Sequence, residues 1–245
     1  MSFLELRSIT KRFGGLKAVD DFSLSLEKGS LTALIGPNGC GKSTTFNLIS
    51  GTFTPDDGSI HFDGIDISLL PAQQIARLGV GRKFQVPAIF PELTVFQNLK
   101  VPTLQSKSYF SRSGSNHMLL EILSQIRLNK KSDTPASQLS HGEKQWLEIG
   151  MILAQAPKLI LLDEPTAGMT ATETAATAEL IKDINKSGDV TILVIEHDIG
   201  FIEQLQCPLT VMARGQVLKS GSFDTIRNDK EVQELYFGKE ASAHA

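Results

Sequence analysis

A five-residue apolar run, Leu31-Thr32-Ala33-Leu34-Ile35, leads without a charged break into Gly36-Pro37-Asn38-Gly39-Cys40-Gly41-Lys42-Ser43-Thr44, and Thr45-Phe46-Asn47-Leu48-Ile49 follows. The run reads as a buried strand, the glycine-rich stretch as a tight loop, and the last segment as the opening of a helix. A strand that passes through such a loop straight into a helix belongs to a layered α/β fold. The loop fills every fixed position of G-x-x-x-x-G-K-[ST], the P-loop pattern, in the structural context that the pattern requires. Its backbone N–H groups, together with the positive end of the helix dipole, would cradle phosphate oxygens. Lys42 would reach the β- and γ-phosphates, and the Ser43 hydroxyl would ligate Mg²⁺. The competing reading, a glycine-rich turn with a chance lysine, leaves the strand and helix on either side unexplained. The expected ligand is a nucleoside triphosphate.

With 245 residues, 41% hydrophobic and 21% charged, the chain can bury one large core or two small ones. Its net charge is −3 and it has no basic run, so the basic footprint of a nucleic-acid binder is missing. Two cysteines, Cys40 and Cys207, make no disulfide framework and indicate a reducing compartment. Cys40 sits inside the loop as a small spacer. Residues 1–7 lack a basic region followed by a long apolar one, so no signal peptide is expected. No apolar window approaches the ~18 residues of a membrane span. The expectation is a chain soluble by itself, any membrane attachment coming through a partner.

Residues 3–35 alternate short apolar runs (3–9, 22–26) with turns at Gly14-Gly15 and Lys28-Gly29, the pattern of an antiparallel β-unit. Asp56-Asp57-Gly58 reads as a turn, 59–62 as a short strand, and 71–78 as a helix with proline in its first turn. From 86 to 150 prolines and a Ser-rich patch interrupt helical segments. Residues 106–115 read as a flexible loop tip and 118–126 as an amphipathic helix. Strands are expected at 158–162 and 190–195, and their β-branched, apolar composition suits a parallel sheet. A helix is expected over 171–186, a hairpin around Arg214-Gly215, a last helix over 231–237, and a frayed tail over 239–245.

Two further strand ends carry polar residues. Leu159-Ile160-Leu161-Leu162 ends in Asp163-Glu164, and ligands of open α/β sheets bind at the C-terminal ends of the strands. Asp163 would be a second Mg²⁺ anchor, through water, and Glu164 the base that polarises the attacking water. Val194-Ile195 ends in Glu196-His197-Asp198. His197 would bond the γ-phosphate and the attacking water, or else be an ordinary histidine at a strand end. Leu139-Ser140-His141-Gly142-Glu143 opens a helix, with Ser140 as N-cap and Glu143 in capping-box position. That helix end is also a phosphate-binding surface. Gln85, after Arg82-Lys83-Phe84, would reach Mg²⁺ or the water. Phe13, before Gly14-Gly15, either stacks on an adenine ring or is one core aromatic among several.

The order of these features, an aromatic, a P-loop, a glutamine, an LSxG-type signature, an Asp-Glu strand end and a strand-end histidine, resembles the ATP-binding subunit of ABC transporters over residues 3–238. The resemblance implies an α/β P-loop NTPase core of mostly parallel sheet flanked by helices, with an N-terminal antiparallel β-subdomain and an inserted helical subdomain. It implies one domain over 1–245, with the core in 1–85 and 151–245 and the signature-bearing helical subdomain in 86–150. MgATP would lie between two subunits. Phe13, Val19 and the loop from Gly36 to Thr44 of one would face Ser140, His141, Gly142 and Glu143 of the other, with Ala167-Gly168-Met169-Thr170 at the interface. Ser43, Gln85 and Asp163 would hold the metal, and Glu164, His197 and Gln85 would act in catalysis. The implied partners are a second ATP-binding subunit, integral membrane permease subunits met near 85–98 and, indirectly, a solute-binding protein, at the cytoplasmic face of the inner membrane.

Arg12-Phe13-Gly14-Gly15-Leu16-Lys17-Ala18-Val19, Gly81-Arg82-Lys83-Phe84-Gln85, residues 90–99, Val217-Leu218-Lys219-Ser220-Gly221 and Tyr236-Phe237-Gly238 are similar to the branched-chain amino-acid and urea uptake group. Residues 82–85 and 139–150 resemble its urea members most. The usual signature is Leu-Ser-Gly-Gly-Gln, and here His141 and Glu143 replace its first Gly and its Gln. A carboxylate at 143 either repels a partner's phosphate or caps its own helix. Two other readings are a soluble ABC-type ATPase of DNA repair or translation, and a P-loop kinase. The first would bring long coiled coils or tandem cassettes. The second leaves the LSxG signature and the strand-end histidine unexplained.

Overall fold

The computed structural model describes residues 2–83, 88–105 and 112–237. Strands β1 (Leu4–Phe13) and β2 (Leu16–Leu26) form an antiparallel hairpin through Gly14-Gly15, with Leu4 opposite Leu26 and Phe13 opposite Leu16. Strand β3 (Leu31–Ile35) is buried throughout and leads into α1 (Lys42–Ile49). Strands β4 (Asp57–Phe62) and β5 (Ile65–Asp66) complete a four-stranded sheet in the order β2-β1-β4-β5. Next come α2 (Ala72–Leu78) and β6 (Val80–Lys83). The helices α3 (Val95–Lys100), α4 (Arg112–Gln125) and α5 (His141–Leu153) follow, with short 3-10 turns between them. The chain returns to the sheet with β7 (Leu159–Asp163), α6 (Ala171–Asn185), β8 (Thr191–Ile195) and α7 (Ile199–Leu205). It ends in the hairpin β9 (Leu209–Ala213) and β10 (Gln216–Gly221), then α8 (Phe223–Arg227) and α9 (Lys230–Phe237).

The second sheet runs β10-β9-β3-β8-β7-β6. All its pairings are parallel except that of β9 with β10. Its central strands are apolar on both faces because both faces are covered. Alternate residues serve two cores. Ile35, Ile160, Leu162, Ile192 and Val194 pack with Leu99, Leu119, Ile126 and Leu147 of the helices. Leu34, Leu159, Leu161, Leu193 and Ile195 pack with α1 and with Leu4, Phe22 and Phe62 of the antiparallel sheet. Fully burying side chains of this kind contributes about 1.5–3 kcal/mol each, and the two-residue period assigns each one to its side.

Several local expectations are corrected. Asp57 and Gly58 are not in a turn but open β4, where Asp57 pairs with Thr10 while Asp56 and Asp57 bind Lys11 and Arg12. Strand β6 has no apolar run to announce it, since Gly81, Arg82 and Lys83 follow Val80, and its pairing with β7 makes it a strand. Helix α4 begins at Arg112, inside the stretch expected to be a loop tip. Helices α7 and α8 were not expected. The expected tail at 239–245 lies outside the described residues.

Candidate functional site

The glycine-rich loop bends around the C-terminal end of β3. Gly41, the N-cap of α1, has φ +113, and a β-carbon there would lie 2.3 Å from the Ala18 carbonyl oxygen, so only glycine fits. The hairpin tip backs the loop: Gly215 N donates to Cys40 O (2.9 Å), and Asp20 N donates to Gly215 O (2.9 Å). Asn38, Gly39 and Ser43 are exposed, Thr44 and Pro37 are partly so, and Gly36 is buried. Lys42 is 6% exposed and folds back over the loop, its Nζ donating to Gly36 O at 2.6 Å and Pro37 O at 3.1 Å. The ammonium is thus held inside the loop by two of the loop's own carbonyl oxygens. Burial pushes the Cys40 thiol up, against the pull of Lys42. Val19 is fully buried beneath the loop. Phe13 is no core aromatic: it is 44% exposed and packs edge-on against Phe53 at 5.2 Å.

Asp163, 2% exposed, ends β7. Its Oδ2 lies 3.7 Å from Arg82, and its Oδ1 is buried with no hydrogen-bond partner among the described residues. Burial raises its carboxyl above the usual range, with Arg82 opposing. A buried, partnerless carboxylate oxygen beside the phosphate loop is a suitable ligand for a hard cation. Arg82 also reaches back to α1, donating to Asn47 Oδ1 (2.6 Å) and Ser50 Oγ (2.9 Å), so β6 braces the helix that follows the loop.

Glu164 adopts left-handed backbone, φ +46. Its N–H donates to Ile195 O (3.0 Å), and its Oε1 lies 3.5 Å from His197 Nδ1. The His197 ring is 57% exposed and faces the same edge. Three strand ends, those of β3, β7 and β8, therefore bring Lys42, Asp163, Glu164 and His197 to one side of the sheet.

The sequence reading passed over Glu196, which is 1% exposed although it precedes an exposed residue. Its Oε1 accepts from Thr166 Oγ1 (2.5 Å) and Thr166 N (3.2 Å), and its Oε2 accepts from His197 N (3.1 Å). It stands one residue past β8, between an apolar strand and a polar loop, and no local pattern marks it. Asp198 caps α7 by accepting from Gly200 N (2.8 Å) and Phe201 N (3.2 Å).

Ser140 and Glu143 form the expected capping box on α5. Glu143 Oε2 accepts from Ser140 N (3.0 Å), and the carboxylate is paired to Lys131 at 2.6 Å. Burial works to raise this carboxyl, but Lys131 and the Ser140 amide outweigh it and hold it below the ordinary range. His141 Nε2 lies 2.9 Å from Ala167 O, on the loop that follows Glu164. Ser140 Oγ donates to Glu173 Oε1 (3.1 Å). A β-carbon at Gly142 would come within 2.7 Å of that oxygen. Residues 140–143 thus make these contacts with Lys131 and residues 167–173 of their own chain. Gln85 lies outside the described residues.

A phosphate-cradling loop at the head of a parallel strand, with acids and a histidine on neighbouring strand ends, defines a P-loop nucleotide hydrolase. Residues 19–167 match the ABC transporter family model. A probable branched-chain amino acid transport ATP-binding protein of Archaeoglobus fulgidus is 33% identical, over 99% of this chain and 98% of that one. The high-affinity branched-chain amino acid transport ATP-binding protein of Escherichia coli K12 is 35% identical, over 96% and 98%. The ADP conformation of MJ1267, an ATP-binding cassette of an ABC transporter, superposes with a TM-score of 0.87 at 31% identity, over 97% and 99%. The ADP- and phosphate-bound cassette MJ0796, which is dimeric, superposes with 0.78 at 25% identity, over 90% and 98%. The chain belongs to the ABC transporter family, as an ATP-binding, ATP-hydrolysing subunit.

Proposed function

We propose that this subunit is the motor of an importer for a small polar solute, either urea or a branched-chain amino acid. The observation that carries the motor reading is the gathering of Lys42, Asp163, Glu164 and His197 at one sheet edge. The Gly36–Thr44 amides and Lys42 bind the phosphates, with Phe13 against the adenine. Ser43, Asp163 and Gln85 would hold Mg²⁺, which would supply positive charge to offset that of the phosphates. Glu164 accepts the proton of the attacking water. The water oxygen bonds to the γ-phosphorus as the bond to the β–γ bridging oxygen breaks, giving ADP and phosphate. His197 bonds the γ-phosphate and orients the water.

A second such subunit would complete the site with its Ser140, His141, Gly142 and Glu143, as the dimeric relative suggests. The helical segment 86–150 would act as a subdomain that meets permease subunits at the cytoplasmic face of the inner membrane. Among the described residues no helix is long and apolar enough to cross a membrane, so attachment through a partner fits. The names of the relatives favour an amino acid, whereas Arg82-Lys83-Phe84-Gln85 and residues 139–150 favour urea by resemblance.

Uptake of labelled urea and labelled leucine in cells lacking this chain tests the cargo. Loss of one, restored by the wild-type chain and not by Glu164→Gln, supports import and names the solute. Unchanged uptake of both refutes the reading.

A further inference from the structure

Glu196 has both carboxylate oxygens engaged, yet the chemistry outlined above gives it no part. Its partners come from two different strand ends. Thr166, two residues beyond Glu164, gives its amide and its hydroxyl to Oε1, and His197 gives its amide to Oε2. Glu164 itself stands in the left-handed region at φ +46, a conformation that a residue with a side chain holds only when its surroundings impose it. Two restraints impose it here. On its own amide, Glu164 is tied to Ile195 O. On its far side, the turn closes through Ala167 N to Glu164 O (3.2 Å), and Thr166 in the middle of that turn is clamped to Glu196. Ile195 and Glu196 are adjacent, so the last residue of β8 and the one after it grip Glu164 from before and after. The residue after Glu196 is His197, whose ring lies 3.5 Å from Glu164.

We propose that Glu196 is a positioning residue for hydrolysis: its buried carboxylate holds the Glu164 turn and the His197 backbone in fixed mutual register. This rests on the assignment of Glu164 as base. Burial of a carboxylate is costly unless hydrogen bonds meet it. Three donors meet this one, and all three belong to the two loops it joins. Releasing the clamp lets the strained turn relax, so Glu164 drifts from the water while the phosphate loop, which Glu196 does not touch, stays intact. Small displacements of this kind lower turnover by roughly 10- to 100-fold.

The full-length chain is assayed for ATP hydrolysis with Mg²⁺, and separately for binding of a fluorescent ATP analogue. Glu196→Gln keeps the shape but leaves one amide facing a donor; it should lower kcat at least about tenfold, with KM and analogue affinity within about twofold. Thr166→Val should do the same, and Thr166→Ser, which keeps the hydroxyl, should restore most of the turnover. The double variant should lose little more than either single one, because both cut one clamp. If Glu196→Gln does not fold, the Thr166 pair decides alone. Wild-type kcat in Thr166→Val, or a KM that rises in step with the fall in kcat, overturns the proposal. Glu164→Gln run alongside separates the two readings. Its full activity sinks the base assignment, whereas its inactivity beside an active Thr166→Val sinks only the clamp.

Discussion

Glu143 departs from the glutamine usual at its position in the signature, and Glu143→Gln tests what the carboxylate does. In the structure its charge is used within its own subunit, on the Ser140 amide and on Lys131 at 2.6 Å. Glutamine keeps an acceptor for the Ser140 amide, so the capping box survives. What is lost is a negative charge in the first turn of α5, about 0.3–1 kcal/mol, and a pair whose lysine is nearly half exposed, put at the low end of about 0.2–1 kcal/mol. The sum centres near 1 kcal/mol, and a chain of this size then melts about 2–4 °C lower. The folded carboxyl lies below its ordinary range, so its stabilisation is present at neutral pH and is lost as pH falls through the folded value. Differential scanning fluorimetry should therefore show a gap between wild type and Glu143→Gln at pH 7 that closes on acidification below the usual glutamate range. ATP turnover should stay within about twofold, because a cap is worth about 1 kcal/mol of fold rather than of transition state. A several-fold rise in turnover at unchanged melting temperature would refute this reasoning and show that the carboxylate repels a phosphate.

Lys42→Ala should abolish binding of a fluorescent ATP analogue, and retained affinity would remove the lysine from the site. Glu164→Gln should accumulate an ATP-bound dimer on size-exclusion chromatography, and a profile matching wild type would contradict its role. Lys83 and Glu148 are buried and lie 3.8 Å apart, joining β6 to α5. Lys83→Met, which takes the ammonium from Glu148, should cost about 3–5 kcal/mol by chemical denaturation, and Lys83→Met with Glu148→Leu distinctly less. A single change milder than the double would refute the pairing. Gly142→Ala should push Glu173 off Ser140, since the new methyl would sit 2.7 Å from its oxygen. A crystal structure of that variant with the Ser140–Glu173 bond intact would show that the helix shifts instead.

The strand-loop-helix around Lys42 and the strand ends carrying Asp163, Glu164 and His197 were legible because each is a local pattern: a five-residue apolar run closed by polar residues. The capping box of Ser140 and Glu143 was legible for the same reason. Strand β6 was not, since its side chains are half polar and only β7 makes it a strand. Glu196 escaped because a carboxylate between Ile195 and His197 looks like the start of a loop. Its partners are Thr166, thirty residues away, and the adjacent amide, and spacing along a chain says nothing of a contact made across two strands. The Lys131 partner of Glu143 was hidden likewise, twelve residues upstream beyond two turns.

The alternation of β3, β7 and β8 between two cores makes the central sheet a partition wall. A cavity opened under Leu147 is felt among the helices, and one opened under Phe22 among the antiparallel strands, with a close-packed layer of backbone between them. The phosphate loop, Asp163, Glu164 and His197 stand at the rim of that wall, where both compartments end. Both cores therefore end at the same row of side chains, so a packing change in either would reach the site through the strands that carry it.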